Sequence, residues 1–284
     1  MSSTVSVRSA VGRLDRVAVR PPSQVGDYAG AHWIAPDLDL DLLETQHRDF
    51  VALLRSLGAG VEELPAVDDM PDGIFVYDPV FIAGDGAIVL RGAKAARVLE
   101  NDRLAADLEA IGVPIIGRLT EPAYADGGDM LFLDSDTLAI GYTYRTNEAA
   151  AEQIRAIVEP QGINVVTFDM PHDLGPEYCL HLMSVISPVS EKLVVLYPKL
   201  APTRLVQALE SRGIGWVEVP DDEYLTLGCN VLAVAPGVAV LPAGNVVTGA
   251  RLRNAGVDVH FYNASETNKG EGGPTCLTRP ILRG

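Results

Sequence analysis

The sequence is poor in cysteine, with three in 284 residues: Cys179, Cys229 and Cys276. So small and odd a set excludes a secreted disulfide framework, which a chain long enough to bury its own core does not need. A long hydrophobic run is also missing. The opening MSSTVSVRSAVGRLDRVAVR has no apolar segment of the secretory type, and no later stretch approaches the roughly 20 apolar residues that span a bilayer. A cytoplasmic protein with no membrane partner is therefore expected. Positive charge is scarce, with 22 Lys+Arg against 38 Asp+Glu and a net charge of −16. That balance, with a pI near 4.6, argues against nucleic acid as a partner and suits a cationic small molecule. Phosphate-loop and dinucleotide signatures are absent, because GDGA and EGGP lack both the lysine and the strand–glycine–helix setting. No serine sits in a nucleophile elbow. Cys179, His181 and the nearby His172 have no fourth ligand at a usual zinc spacing. Neither a cofactor nor a metal is expected.

What the sequence does contain is a repeat. Four amphipathic helical patterns stand out: Phe50, Leu53, Leu54 and Leu57; Leu104, Leu108 and Ile111; Ala150, Ile154 and Ile157; Leu205 and Leu209. They stop at Gly58, Gly112, Gly162 and Gly213, and a weaker helix, VVTGARLRNAG, stops at Gly256. A short strand follows each: GVEELP, VPIIG, INVVTF, GWVEVP and VDVHFY. Paired β-like runs precede the last four helices, as in DMLFLDSDTLAIGY and NVLAVAPGVAVLP. The unit reads ββαβ, with a period of about 50 residues. Its fifth copy is split, CLTRPIL at the C-terminal end joining LDRVAVR, the first helix and GVEELP at the N-terminal end. The expected fold is α/β: a pseudo-fivefold, five-bladed ββαβ propeller, one domain over residues 1–284, closed by its terminal segments so that few sheet edges are exposed.

Aligning the first strands of the units puts Asp78, Asp129, His181, Asn230 and Cys276 at one repeat position, hence at one end of the pseudo-fivefold axis. Cys276 follows GEGG, whose glycines would let a substrate approach the sulfur. A thiol is only slightly ionised at neutrality, so a working cysteine needs a base or a cation nearby. His181, opening an apolar strand, is the first candidate for proton transfer, with His172 second. In YADGGDML, one of Asp126 and Asp129 would orient the histidine and the other hold a cation; spacing alone selects Asp129 for the histidine. Asp78, in FVYDPVF, is expected on a buried strand, where a carboxylate needs a partner. Cys179 and Cys229 have apolar surroundings and read as filler.

With these motifs in view, FVYDPVFI at Asp78, DGGDMLF followed by GYTYRTNEAAAEQI, HLMS at His181 and GGPTCLT at Cys276, the sequence resembles the dimethylarginine dimethylaminohydrolases. These belong to the guanidino-group-modifying superfamily that includes arginine deiminases and amidinotransferases. The resemblance implies a pentein-type propeller around a polar channel, and it implies roles. Cys276 would be the nucleophile, His181 the acid and then base, Asp126 its carboxylate partner, and Asp78 the grip on the guanidinium. Asp72, Arg97 and Arg145, with Asp129, would line the substrate site, the arginines suiting a substrate carboxylate. The implied reaction is hydrolysis of an N-substituted arginine, through a covalent S-amidino intermediate, to citrulline and an alkylamine. A deiminase or amidinotransferase acting on another guanidine is the enzymatic alternative. A non-catalytic binding protein is the other, since a translation factor uses this architecture without chemistry.

Two departures bear on the substrate. His181-Leu182-Met183 stands where arginine deiminases carry HLD, which leaves room for an N-substituted guanidine. Tyr77 stands where the dimethylargininases usually have glutamate, and a tyrosine supplies no such negative charge. The Gly- and Pro-containing loop 21–36, PPSQVGDYAGAHWIAP, has the length and position of a lid over the channel. An acidic surface and a closed ring are compatible with a monomer or a homodimer.

Overall fold

A computed structural model describes residues 4–31, 33, 37–94, 97–176, 178 and 180–284. Cys179, His32 and part of the 21–36 loop lie outside these. The first unit is built from β1 (Leu14–Val19), α1 (Leu40–Ser56) and β2 (Gly60–Glu63). The second has β3 (Val80–Ala83), β4 (Gly86–Val89), α2 (Val98–Ala110) and β5 (Ile115–Arg118). In the third these are β6 (Met130–Asp134), β7 (Thr137–Tyr142), α3 (Glu148–Val158) and β8 (Asn164–Asp169). The fourth contains β9 (Ile186–Ser190), β10 (Leu193–Leu196), α4 (Thr203–Ser211) and β11 (Gly215–Glu218). A short α5 (Asp221–Tyr224) leads into the last full unit, with β12 (Leu232–Ala235), β13 (Val238–Pro242), α6 (Val246–Asn254) and β14 (Asp258–Tyr262). The final strand, β15 (Arg279–Arg283), joins β1 and β2.

Each of the five sheets has three strands, the middle one antiparallel to the first and parallel to the third. A parallel return requires a crossover, and the helix of each unit supplies it. Strand β15 completes the sheet of β1 and β2, so the two ends of the chain share one blade. Apolar faces of strands and helices merge into buried clusters, with Phe50, Leu104, Ile154, Leu209 and Leu252 carrying their helices onto the sheets. The helix-ending glycines all hold positive φ, from 62° at Gly213 to 92° at Gly58. No helix among the described residues is long and apolar enough to cross a membrane.

The expected first strands start too early. Asp78 is not on a strand but two residues before β3. His181 precedes the 3₁₀ turn Leu182–Ser184, and Asp129 closes the 3₁₀ turn Gly127–Asp129. Cys276 lies in a turn ahead of β15. The polar residues at the repeat position therefore sit on irregular backbone at the strand entrances, where side chains can aim into the channel instead of alternating across a sheet.

Candidate active site

A cavity of about 340 Å³ opens at these entrances, and Asp78, Asp126, His181, Asn230 and Cys276 all reach its wall. Cys276 is half-buried, and its Sγ accepts a hydrogen bond from Asn230 Nδ2 at 3.1 Å. The Asn230 amide is oriented in turn by the Thr275 N–H, which donates to Oδ1 at 3.1 Å. The glycines before the cysteine accommodate the protein's own side chains. A Cβ on Gly273 would stand 2.5 Å from Asn230 Cγ, and one on Gly272 would stand 2.0 Å from the Phe75 ring. The close approach at GEGG is made by Asn230 and Phe75. Burial and then the Asp78 charge push the Cys276 thiol up, while Asn230, the Gly273 N–H and His181 pull it down; the net shift is upward. The thiol is thus protonated at neutrality, and a cation in the cavity would oppose the Asp78 contribution.

His181 Nε2 lies 3.4 Å from Asp126 Oδ2. The His181 backbone N–H donates to Ser184 Oγ at 3.0 Å, anchoring the turn that carries the ring. Gly128 must be a glycine here, because its Cβ would fall 2.3 Å from His181 Nδ1. Spacing alone chose the wrong aspartate of DGGD. Asp129, expected to line the substrate site, does not reach the cavity: it is fully buried, its Oδ2 accepting the Thr143 and Thr146 hydroxyls at 2.8 and 2.6 Å. Its Oδ1 accepts the Leu182 N–H at 2.9 Å, so it fixes the turn behind His181. Burial holds its carboxyl up at about 6. The 3₁₀ turn rotates the two aspartates apart, sending Asp126 to the channel and Asp129 beneath it.

Asp78 is buried, with Oδ1 accepting the Gly128 N–H at 2.9 Å and Oδ2 paired with Arg97 at 2.7 Å. Burial raises its pKa, but Arg97, His181 and the Gly128 N–H outweigh that, so the carboxylate stays ionised. Arg97 also donates to Glu100 at 2.8 Å and to the Phe75 carbonyl at 3.1 Å. Burial would depress this guanidinium, yet Glu100, Asp78 and Asp72 together hold it well above its usual value. Glu100, buried behind Arg97, is pushed up to about 7, mainly by burial. Asp72 sits on the same wall, between Trp33 Nε1 at 2.8 Å and Lys94 Nζ at 2.6 Å. Arg145 lines the opening with its nearest carboxylate, Asp126, 3.9 Å away.

Of the expected residues, Cys276, His181, Asp126, Asp78, Asp72, Arg97 and Arg145 meet at one cavity, and Asp129 does not. His172 is exposed, its Nδ1 2.7 Å from the Tyr144 hydroxyl, and does not line the cavity. Cys229 is buried at the cavity wall, where desolvation raises its thiol far above the usual range. The described part of the 21–36 loop rests on the same wall, with Ala31 lining it and Trp33 stacked on Phe75 at 5.5 Å. Sequence reasoning gave no role to Asn230, Lys94 or Glu100. Asn230 alone carried a signal, its place in the repeat. Among the described residues no cluster of His, Cys, Asp and Glu is arranged to hold a metal.

Residues 65–213 and 201–283 match the family model described as arginine deiminase, and the chain belongs to that family. An arginine deiminase of Rhodococcus erythropolis is 30% identical over 251 residues, covering 76% of this chain and 61% of that protein. The chain thus spans about three-fifths of that relative's length. The uncharacterized protein YkgA of Bacillus subtilis is 26% identical over 98% of this chain and 95% of its own. Among solved structures, dimethylarginine dimethylaminohydrolase of Pseudomonas aeruginosa with citrulline superposes with a TM-score of 0.80 at 21% identity, over 95% and 100% of the two chains. The N-terminal domain of ArgZ, a cyanobacterial arginine dihydrolase, gives 0.81 at 19% identity over 94% and 97%. These structures share the pentein fold expected from the five-unit repeat.

Proposed function

We propose that the protein is a cysteine-dependent hydrolase of guanidino compounds whose reacting group is an N-substituted guanidinium, as in monomethyl- or dimethylarginine. The convergence of Cys276, the His181–Asp126 pair and Asp78 on one cavity carries this reading. A guanidinium resists attack because its charge is delocalised, and Asp78 would localise that charge while aligning the carbon with Sγ. The bound cation would also favour the Cys276 thiolate, whose proton leaves to solvent or to His181.

Attack forms the S–C bond. His181, protonated and held by Asp126, gives its proton to the departing amine as the C–N bond breaks, leaving an S-amidino thioether on Cys276. Neutral His181 then takes a proton from water, the oxygen adds to the amidino carbon, and the S–C bond breaks to release a ureido product. Asn230, bonded to Sγ, positions the sulfur throughout. With a methylated arginine the products are citrulline and methyl- or dimethylamine. Met183, at the cavity wall where the related deiminases place an aspartate, offers no charge to an unsubstituted nitrogen, which favours a substituted one.

The test is ureido-product and amine release from methylated and unmethylated guanidines, with and without acceptor amines, beside Cys276→Ala. Ureido product lost in the variant supports the hydrolase. Product formed only with an acceptor amine identifies an amidinotransferase, and an unreactive Cys276 towards iodoacetamide favours a binding protein.

A further inference from the structure

The cavity already contains an ammonium, and the chain supplies it. Lys94 Nζ donates to Asp72 Oδ2 at 2.6 Å and to the Ala31 carbonyl at 2.9 Å. The remaining oxygen of Asp72 accepts from Trp33 Nε1 at 2.8 Å. The pair is not a screened surface contact: the Lys94 and Asp72 side chains are only 20% and 9% exposed. It terminates a polar row that begins beside the sulfur. Asp78 pairs with Arg97 at 2.7 Å, Arg97 stands 3.9 Å from Asp72, and Asp72 holds Lys94. The row thus runs along the cavity wall from Asp78 to Lys94.

This arrangement discriminates between tails. An incoming ammonium finds the Asp72 and Ala31 acceptors occupied and must displace Lys94 to use them; Asp78 and Asp126, also on the wall, are already paired with Arg97 and with His181. The other carboxylates on the wall, Asp173 and Glu271, are exposed, where water screens their pull. An incoming carboxylate can instead take the third N–H of Lys94 and the guanidinium of Arg145, whose nearest carboxylate is 3.9 Å away, without breaking the Lys94–Asp72 pair.

We infer that Lys94 is a specificity-determining residue that directs the site to ω-guanidino carboxylic acids without a free α-ammonium, in preference to ω-guanidino α-amino acids. The inference rests on the guanidino reading of the reacting end and concerns only the tail. It moves the preferred substrate from a methylated arginine to its des-amino counterpart.

The decisive experiment is calorimetric binding of a matched pair, N-methylarginine and its des-amino analogue, to the wild-type protein, Lys94→Ala and Lys94→Met, with ureido product measured in parallel. The wild type is expected to bind the des-amino acid about tenfold more tightly, a difference of about 1.4 kcal/mol. In Lys94→Ala the order reverses, because Asp72 and Ala31 become available to the α-ammonium. Lys94→Met, which keeps most of the volume, gives the same reversal if charge is the cause. Tighter binding of N-methylarginine by the wild type, or a ratio unchanged in both variants, overturns the assignment even if ureido product forms. The expected order and reversal without ureido product support Lys94 and sink the hydrolase reading instead.

Discussion

Two cavities that share Tyr77, a catalytic mouth and a smaller space, treat charge in opposite ways. At the mouth every cation faces a carboxylate: Arg97 faces Asp78, His181 faces Asp126, and Lys94 faces Asp72. In the smaller cavity, of about 30 Å³ and lined by Phe81, Phe132, Arg279 and Arg283 among others, neither arginine has an ion-pair partner among the described residues. Arg279 is 1% exposed, donates to the Tyr77 and Val80 carbonyls at 3.1 and 3.0 Å, and lies 4.0 Å from the Tyr77 ring. Ion pairs at the mouth can be exchanged for a charged substrate, whereas carbonyls and ring faces have nothing to exchange. Reactivity and rigidity are thus separated between two adjoining cavities. Tyr77 lines both, with its N–H on the Cys276 carbonyl at 3.2 Å and its ring on Arg279.

The largest expected effect breaks the mouth alone. Cys276→Ser should lower turnover by about 10⁴-fold or more, since an alcohol here lacks the acidity to attack a guanidinium carbon. Its urea midpoint should stay with the wild type. Retained ureido production in this variant would remove the covalent mechanism and the functional distinction between the two cavities.

Arg279→Ala breaks the smaller cavity. It leaves two buried carbonyls without a donor and a void under two aromatic rings, and should cost about 3–5 kcal/mol in urea unfolding. Arg279→Met refills the volume and should recover about half of the loss. Equal losses in the two variants would assign the role to hydrogen bonding and charge, with packing secondary.

The DGGD aspartates carry the comparison into one turn. Asp126→Asn should reduce turnover about 10²- to 10³-fold with little change in stability, because the amide cannot hold a protonated His181. Asp129→Asn should do the reverse, destabilising by about 1–3 kcal/mol as an amide is forced against three donors. The Asp129 carboxyl is held at about 6 against an ordinary 3.8. Its contribution to stability is therefore fully present below 3.8 and lost as pH rises through about 6, on the order of 3 kcal/mol in total. Urea unfolding at pH 4.5 and 7.5 should show that decline in the wild type and a flatter profile in Asp129→Asn. Glu100, held at about 7, adds to it in the same direction in both proteins.

The sequence revealed most of the scaffold and part of the site, for physical reasons that differ. Helix ends were legible because a glycine at positive φ is a local requirement, and strand pairs because turn residues punctuate them. The strand starts were not, since Asp78, Asp129, His181 and Cys276 occupy short turns that no alternation announces. Asp126 was separable from Asp129 only by motif, because the rotation of Gly127–Asp129 is invisible to spacing. Lys94 was missed because its partners, Ala31 and Asp72, come from distant segments and leave no periodic trace, and Glu100 because its i,i+3 pair with Arg97 at the start of α2 has the spacing of an ordinary helix-surface ion pair.

The smallest effect distinguishes two uses of glycine in this chain. At Gly58 a Cβ would meet nothing within 4 Å, so Gly58→Ala pays only for φ of 92°, about 1 kcal/mol, and should leave turnover unchanged. At Gly273, by contrast, φ is not positive and the Cβ would strike Asn230, which holds Cys276 Sγ. Gly273→Ala should therefore lower kcat by about tenfold for a similar cost in stability. Measuring kcat and the urea midpoint on both variants separates a glycine required by its own backbone from one required by its neighbour. Equal kcat in the two would mean that Asn230 is free to move without disturbing the sulfur, and that its hydrogen bond does not position the nucleophile.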